Sequence, residues 1–151
     1  MFRLLTALLF LSFATPGWAH NDDLVKVKAA GDVTTTMDAL EAAVTAAGAT
    51  VFARLDHAAG ADSVGLELAP SQVLIFGNPK LGTPAMQDDP VAGLFLPLKV
   101  LVYRDGAGQV WMVYETPRAM FNGLGGIDEG AAYLEVMSGA LMKLTAKASG
   151  F

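Results

Sequence analysis

The sequence contains no cysteine in 151 residues. That absence removes disulfides, thiolate metal sites, cysteine nucleophiles and covalently attached c-type haem together. Histidine is nearly missing as well, with only His20 and His57 present, so imidazole chemistry has little material. Positive charge is scarce: ten Lys and Arg stand against fifteen Asp and Glu, for a net charge of −5. An acidic chain with no basic stripe repels phosphate backbones and anionic lipid, which argues against nucleic acid and membrane surfaces as partners. No Gly-x-Ser-x-Gly, His-Glu-x-x-His, dinucleotide fingerprint or paired catalytic carboxylates occur, which disfavours the common hydrolase, zinc protease and dinucleotide-dependent mechanisms. Nor does a repeat, a low-complexity linker or a long charge run divide the chain, so a single domain is expected.

What is present begins with a targeting signal. Met1-Phe2-Arg3 carries one positive charge, and Leu4 to Phe13 follows with only Thr6 and Ser12 as polar interruptions. At about 1.5 Å per residue that run covers roughly half of a ~30 Å hydrocarbon core, which favours a signal peptide over a membrane span. Pro16 ends the apolar stretch, and Gly17-Trp18-Ala19 supplies the small residues a signal peptidase reads. Residues 1–19 are therefore expected to be a signal peptide and 20–151 the mature domain, periplasmic or secreted. Cleavage removes Arg3, leaving nine basic against fifteen acidic residues, and leaves His20 at the new terminus. With an apolar fraction of 53 %, the mature chain can build one core without staples.

Hydrophobic periodicity places the elements. Leu24 to Ala29 alternates as a half-buried strand, and Thr36 to Ala47 carries Met37, Leu40 and Val44 at helical spacing, capped by the threonines before it and stopped by Gly48. Thr50 to His57 alternates again, with Val51, Ala53, Leu55 and His57 expected on one face and Phe52, Arg54 and Asp56 on the other. Gln72 to Phe76 reads as a strand covered on both faces. Thr83-Pro84 reads as an N-cap and first helical residue, opening a short helix to about Asp88. Leu98 to Arg104 and Gln109 to Glu115 form a hairpin across Asp105-Gly106-Ala107-Gly108. After Pro117 and a glycine-rich bend, Asp128 is expected to cap a last helix with Leu134, Met137, Leu141 and Leu144 buried. The six methionines after residue 19 belong mostly to the core. The fold class is α+β, with helices on one face of a mainly antiparallel sheet.

Three segments carry a resemblance: Phe52-Ala53-Arg54-Leu55-Asp56-His57, then Phe76-Gly77-Asn78-Pro79-Lys80, then Leu96-Pro97-Leu98-Lys99. From about Leu24 to Pro117 the chain resembles the domain-of-unknown-function family numbered 302. The resemblance implies a β-α-β4-α arrangement similar to TATA-binding-protein-like folds, often as a homodimer, and no established activity. This chain has Tyr114-Glu115-Thr116-Pro117 where the family usually reads Tyr-Asn-Asp-Pro. It has Phe121 to Gly126 where the family carries a helix with an Arg-His or Arg-Tyr pair.

Candidate site residues cluster at expected strand ends. His57, on an apolar strand face, is either a structural histidine or one presented to a ligand, and Asp56 caps the following turn or pairs with a cation. Gly77, Asn78 and Lys80 precede a helix start, where free amides attract an anion if the turn does not use them itself. Lys99 shares a strand face with Leu101 and Tyr103, so it either snorkels or enters a cavity. Of Trp111 and Tyr114, on opposite faces of one strand, one is expected in the core. Two functional readings follow. One is a non-catalytic small-molecule-binding or sensing domain using His57, Asn78, Lys80 and Lys99, with Asp56 and Gly77 beside them. The other is an enzyme or copper-handling protein using His57, with His20 chelating through its terminal amine and imidazole.

Overall fold

The structure, a computed structural model, describes residues 23–151. The expected signal peptide and His20 lie outside the described residues. Five strands, β1 (Leu24–Ala29), β2 (Thr50–Asp56), β3 (Ser71–Gly77), β4 (Leu98–Arg104) and β5 (Val110–Glu115), pair antiparallel throughout in the spatial order β1-β5-β4-β3-β2. The helices are α1 (Val33–Ala46), α2 (His57–Asp62), α3 (Pro79–Asp88), α4 (Pro117–Met120) and α5 (Ala132–Ala148), with a 3₁₀ turn at Pro90–Leu94. This is the expected α+β architecture.

Helices α1 and α5 pack on each other and on one sheet face. Met37, Leu40 and Val44 of α1 and Leu134, Met137 and Leu141 of α5 meet Leu74, Val100 and Met112 of the central strands, all close to fully buried. Each such side chain contributes about 1.5–3 kcal/mol of burial, which holds the layers together. The alternate strand positions face away. Lys26, Lys28, Leu55 and Lys99 are exposed there, and Val73, Leu101, Tyr103 and Val113 are half-buried. On that face Lys26 Nζ lies 4.8 Å from the Trp111 ring and 5.5 Å from the Tyr103 ring. Tyr114, on the other side of the strand, is the core residue of the pair, and burial pushes its phenol pKa up.

Four local expectations are corrected. Helix α1 starts at Val33 under Asp32, whose carboxylate accepts the Thr35 amide at 2.7 Å, so the threonines lie inside the helix. Helix α3 starts at Pro79 under Asn78, and Pro84 sits within it. Helix α5 starts at Ala132, because the Asp128 side chain accepts the Gly130 amide at 2.7 Å and closes a turn first. In β2, Val51 pairs with Phe76 and Ala53 with Ile75, so Phe52 is an extra, bulged residue. The bulge sets Val51 apart from Ala53 and Leu55, and turns Arg54 toward α1, where it binds Asp38 at 2.6 Å and Glu41 at 3.3 Å. His57 leaves the strand altogether as the first residue of α2.

Candidate functional site

The β3 register separates the sequence-predicted residues into two groups. Asp56 pairs with Gln72 at one end of the strand, and Gly77 pairs with Thr50 at the other, five residues on, roughly 17 Å at ~3.3 Å per residue. At the first end, Asp56 caps α2 by accepting the Ala59 amide at 3.0 Å, and its second oxygen accepts from Gln72 Nε2 at 3.1 Å. His57 is exposed in the first turn, with no side-chain hydrogen bond among the described residues. Gly77, Asn78, Lys80 and Lys99 gather at the opposite end.

There the chain leaves β3 through Asn78-Pro79 into α3. Asn78 Oδ1 accepts the Lys80 amide at 3.0 Å, and the Asn78 carbonyl accepts from Leu81 at 2.9 Å and Gly82 at 3.0 Å. Pro79 has no N–H to offer. Every backbone amide of the first turn is thus occupied, and the Asn78 segment is a built helix start with no free backbone N–H there for an anion. Lys80 is exposed, and Lys99 Nζ reaches back to the Phe95 carbonyl at 3.4 Å.

Beside this turn a groove of about 240 Å³ opens, walled by Phe52, Leu81, Met86, Leu96, Pro97 and Met137. Its origin is local. The bulge projects Phe52 off the ladder to 58 % exposure, and Met86 is 39 % exposed on the outer side of α3. Gly82 keeps the wall thin, since a Cβ there would come within 3.3 Å of Leu96 Cδ1. Gly77, Asn78, Leu81 and Leu98 also border a second cleft, of about 460 Å³, whose α5 side is formed by Glu135, Gly139 and Lys143 on successive turns. Two largely apolar compartments therefore adjoin along Gly77, Asn78, Leu81 and Leu98.

A larger cleft of about 580 Å³ lies elsewhere, bordered by Thr116, Arg118, Asn122, Ile127, Glu129 and Ser138. None of these was singled out from sequence. Arg118 is committed there, to the Glu129 carbonyl and, at 2.6 Å, to the Glu135 carboxylate. That pairing spans α4, the glycine-rich bend and α5, so no sequence spacing announces it. Nearby, Tyr133 donates to Asp88 at 2.9 Å, and desolvation together with that carboxylate pushes its phenol pKa up to about 12. In the β4–β5 hairpin, the Trp111 indole N–H and the Gln109 amide hold the Asp105 carboxyl below its ordinary value. Among the described residues no three His, Asp or Glu side chains converge as a metal site.

Comparison with known proteins places the chain. A crystal structure of an uncharacterized conserved DUF302 protein from Bacillus stearothermophilus aligns with a TM-score of 0.68, covering 85 % of this chain and 96 % of that one. At 19 % identity this likeness shows the fold alone. The chain is also 43 % identical over 94 residues to proteins of Brucella suis and Brucella abortus, each named fluoride-specific ion channel FluC 1. That stretch is 62 % of this chain but 37 % and 35 % of the two relatives, so the match spans little more than a third of their length. The model of the family described as domain of unknown function DUF302 matches residues 25–144, and the chain belongs to that family.

Proposed function

We propose that this chain is an exported, non-catalytic binding or sensing domain for a small apolar molecule, seated in the groove beside Asn78. The observation that carries the reading is the groove itself: a concavity at the protein surface walled by Phe52, Met86, Leu96 and Met137, in a position that leaves two large apolar side chains facing solvent. Methionine walls adapt to a guest at little strain. Asn78 and Gly77 supply the rigid turn behind the groove, while Lys80 and Lys99 stand outside its wall. Asp56 and His57, at the far end of the sheet, take no part. Export rests on the apolar N-terminal segment. The domain purified from its native compartment and sprayed under gentle conditions should carry a retained small molecule on Phe52-containing protein. Release of only bare protein, from wild type and from a cell extract supplemented with apolar extract alike, counts against the reading.

A copper or acid/base role at His57 needs His20, which lies outside the described residues, or a partner to complete it. Unchanged metal content or activity in His57→Ala removes that role. A companion role to an ion channel is favoured by one specific observation, the Brucella relatives in which a matching stretch belongs to a longer protein named as a fluoride channel. Under that reading, cells lacking this chain lose fluoride tolerance; normal tolerance argues against it. The homodimer implied by the family resemblance is proposed on the outer sheet face, where Leu55, Val73, Leu101 and Val113 form one cross-strand row through β2, β3, β4 and β5, uncovered by a helix among the described residues.

A further inference from the structure

Resting on the groove reading above, we infer that the ligand is an elongated amphiphile, an alkyl chain ending in a carboxylate. Its chain lies between Met86 and Met137, and its head passes Leu81 to reach Lys143. Three observations lead there. The 240 Å³ compartment has no charged side chain in its wall, so whatever fills it is uncharged along that length. The second compartment, which shares Gly77, Asn78, Leu81 and Leu98 with the first, is bordered by two charged residues of α5, Glu135 one turn before Gly139 and Lys143 one turn after it. Of these, the Glu135 carboxylate is already held at 2.6 Å by Arg118, whereas Lys143 makes no ion pair among the described residues. The charge left open on that wall is thus positive, in a chain whose net charge of −5 otherwise discourages anions.

The shape agrees with the chemistry. The two compartments, about 240 and 460 Å³, are separate spaces that adjoin along Gly77, Asn78, Leu81 and Leu98 rather than one broad cavity, which suits a narrow flexible chain better than a fused ring system. Gly139 and Ala140 keep the α5 side of the second compartment low, and Leu81 sets the width of the passage. Leu81 is accordingly a specificity-determining residue: a larger side chain there would confine ligands to the methionine-walled compartment.

The test uses the mature domain and three probes: the neutral fluorophore N-phenyl-1-naphthylamine, dodecanoate and dodecanol. Dodecanoate is expected to displace the fluorophore more tightly than dodecanol. Lys143→Gln, an exposed substitution that leaves the fold intact, should weaken dodecanoate about fivefold while leaving the fluorophore unaffected. Leu81→Trp should weaken dodecanoate while the compact fluorophore still binds. Equal binding of acid and alcohol, with Lys143→Gln silent, overturns the anionic head and leaves the groove reading standing. Failure of the fluorophore and both chain ligands to bind folded wild-type protein overturns the inference and the groove reading together.

Discussion

Replacing Phe52 with alanine separates ligand binding from folding at one position. Phe52 is the bulged residue of β2, projecting from the ladder at 58 % exposure, so it contributes little to the core. A phenylalanine presents on the order of 200 Å², so about 115 Å² of this one faces solvent in the free protein. A ligand covering half of that removes about 60 Å² from water, which at ~25 cal/mol per Å² is about 1.5 kcal/mol, or roughly tenfold in Kd. The fold should lose less than about 1 kcal/mol, since the side chain is already largely hydrated. Fluorescence titration with N-phenyl-1-naphthylamine reads the first quantity and urea unfolding the second. An unchanged Kd in a variant of unchanged stability refutes the placement of the ligand against Phe52.

Three further outcomes follow from the same geometry. Deleting Phe52 closes the bulge and leaves Val51, Ala53 and Arg54 on their present faces, so that variant should fold, whereas deleting Leu101 from the middle of β4 reverses half a central strand and should not; circular dichroism and urea unfolding distinguish them, and collapse of both contradicts the register. Desolvation first, and the bond to Asp88 second, raise Tyr133 to about 12 from 10.0, so the folded state has its full advantage over the unfolded chain below pH 10 and loses it as pH climbs through about 12; absorbance titration should show a late-ionising tyrosine that Tyr133→Phe removes. If the uncovered sheet face joins two copies, light scattering should give twice the chain mass for wild type and a monomer for Leu55→Asp, while a monomeric wild type dismisses that interface.

The architecture was largely legible because alternation and helical spacing each report one buried face. Met37, Leu40 and Val44 in α1 and Leu134, Met137 and Leu141 in α5 fall where that spacing puts them, and Gly48 adopts the positive φ of +75° that a helix stop requires. The misread helix starts share one cause, competition between equivalent signals. Thr83-Pro84 has the same cap-and-proline signature as Asn78-Pro79, and the earlier one prevails because its carbonyl and side chain satisfy three amides at once. Pro84 is then carried inside the helix at the cost of one backbone hydrogen bond.

The bulge was invisible for a different reason. Val51, Phe52 and Ala53 are all apolar, so alternation cannot reveal that one of them is unpaired. That one residue decided much of the site: it set Arg54 against α1 and brought Phe52 to the groove, while the Asp56 cap that starts α2 took His57 off the strand. Asn78 and Gly77 were legible as the turn at a strand end, but not the methionines facing them, because Met86 on α3 and Met137 on α5 meet only in three dimensions. The Arg118 cleft has the same character, its walls coming from α4, the bend before α5 and α5 itself.

The central claim, that the groove beside Asn78 is where this domain takes its ligand, is tested most directly by the methionine methyl groups. The six methionines after residue 19 sample the molecule: Met86 on the groove wall and Met137 at its buried floor, Met37 and Met112 in the core away from it, Met120 beside the bend, and Met142 on the exposed side of α5. In a ¹³C-methyl NMR titration of the mature domain with dodecanoate, the Met86 and Met137 resonances should move together and saturably while Met37 and Met112 hold still. Movement at Met120 alone would put the ligand near the Arg118 cleft, and no saturable movement at Met86 or Met137 would contradict the account.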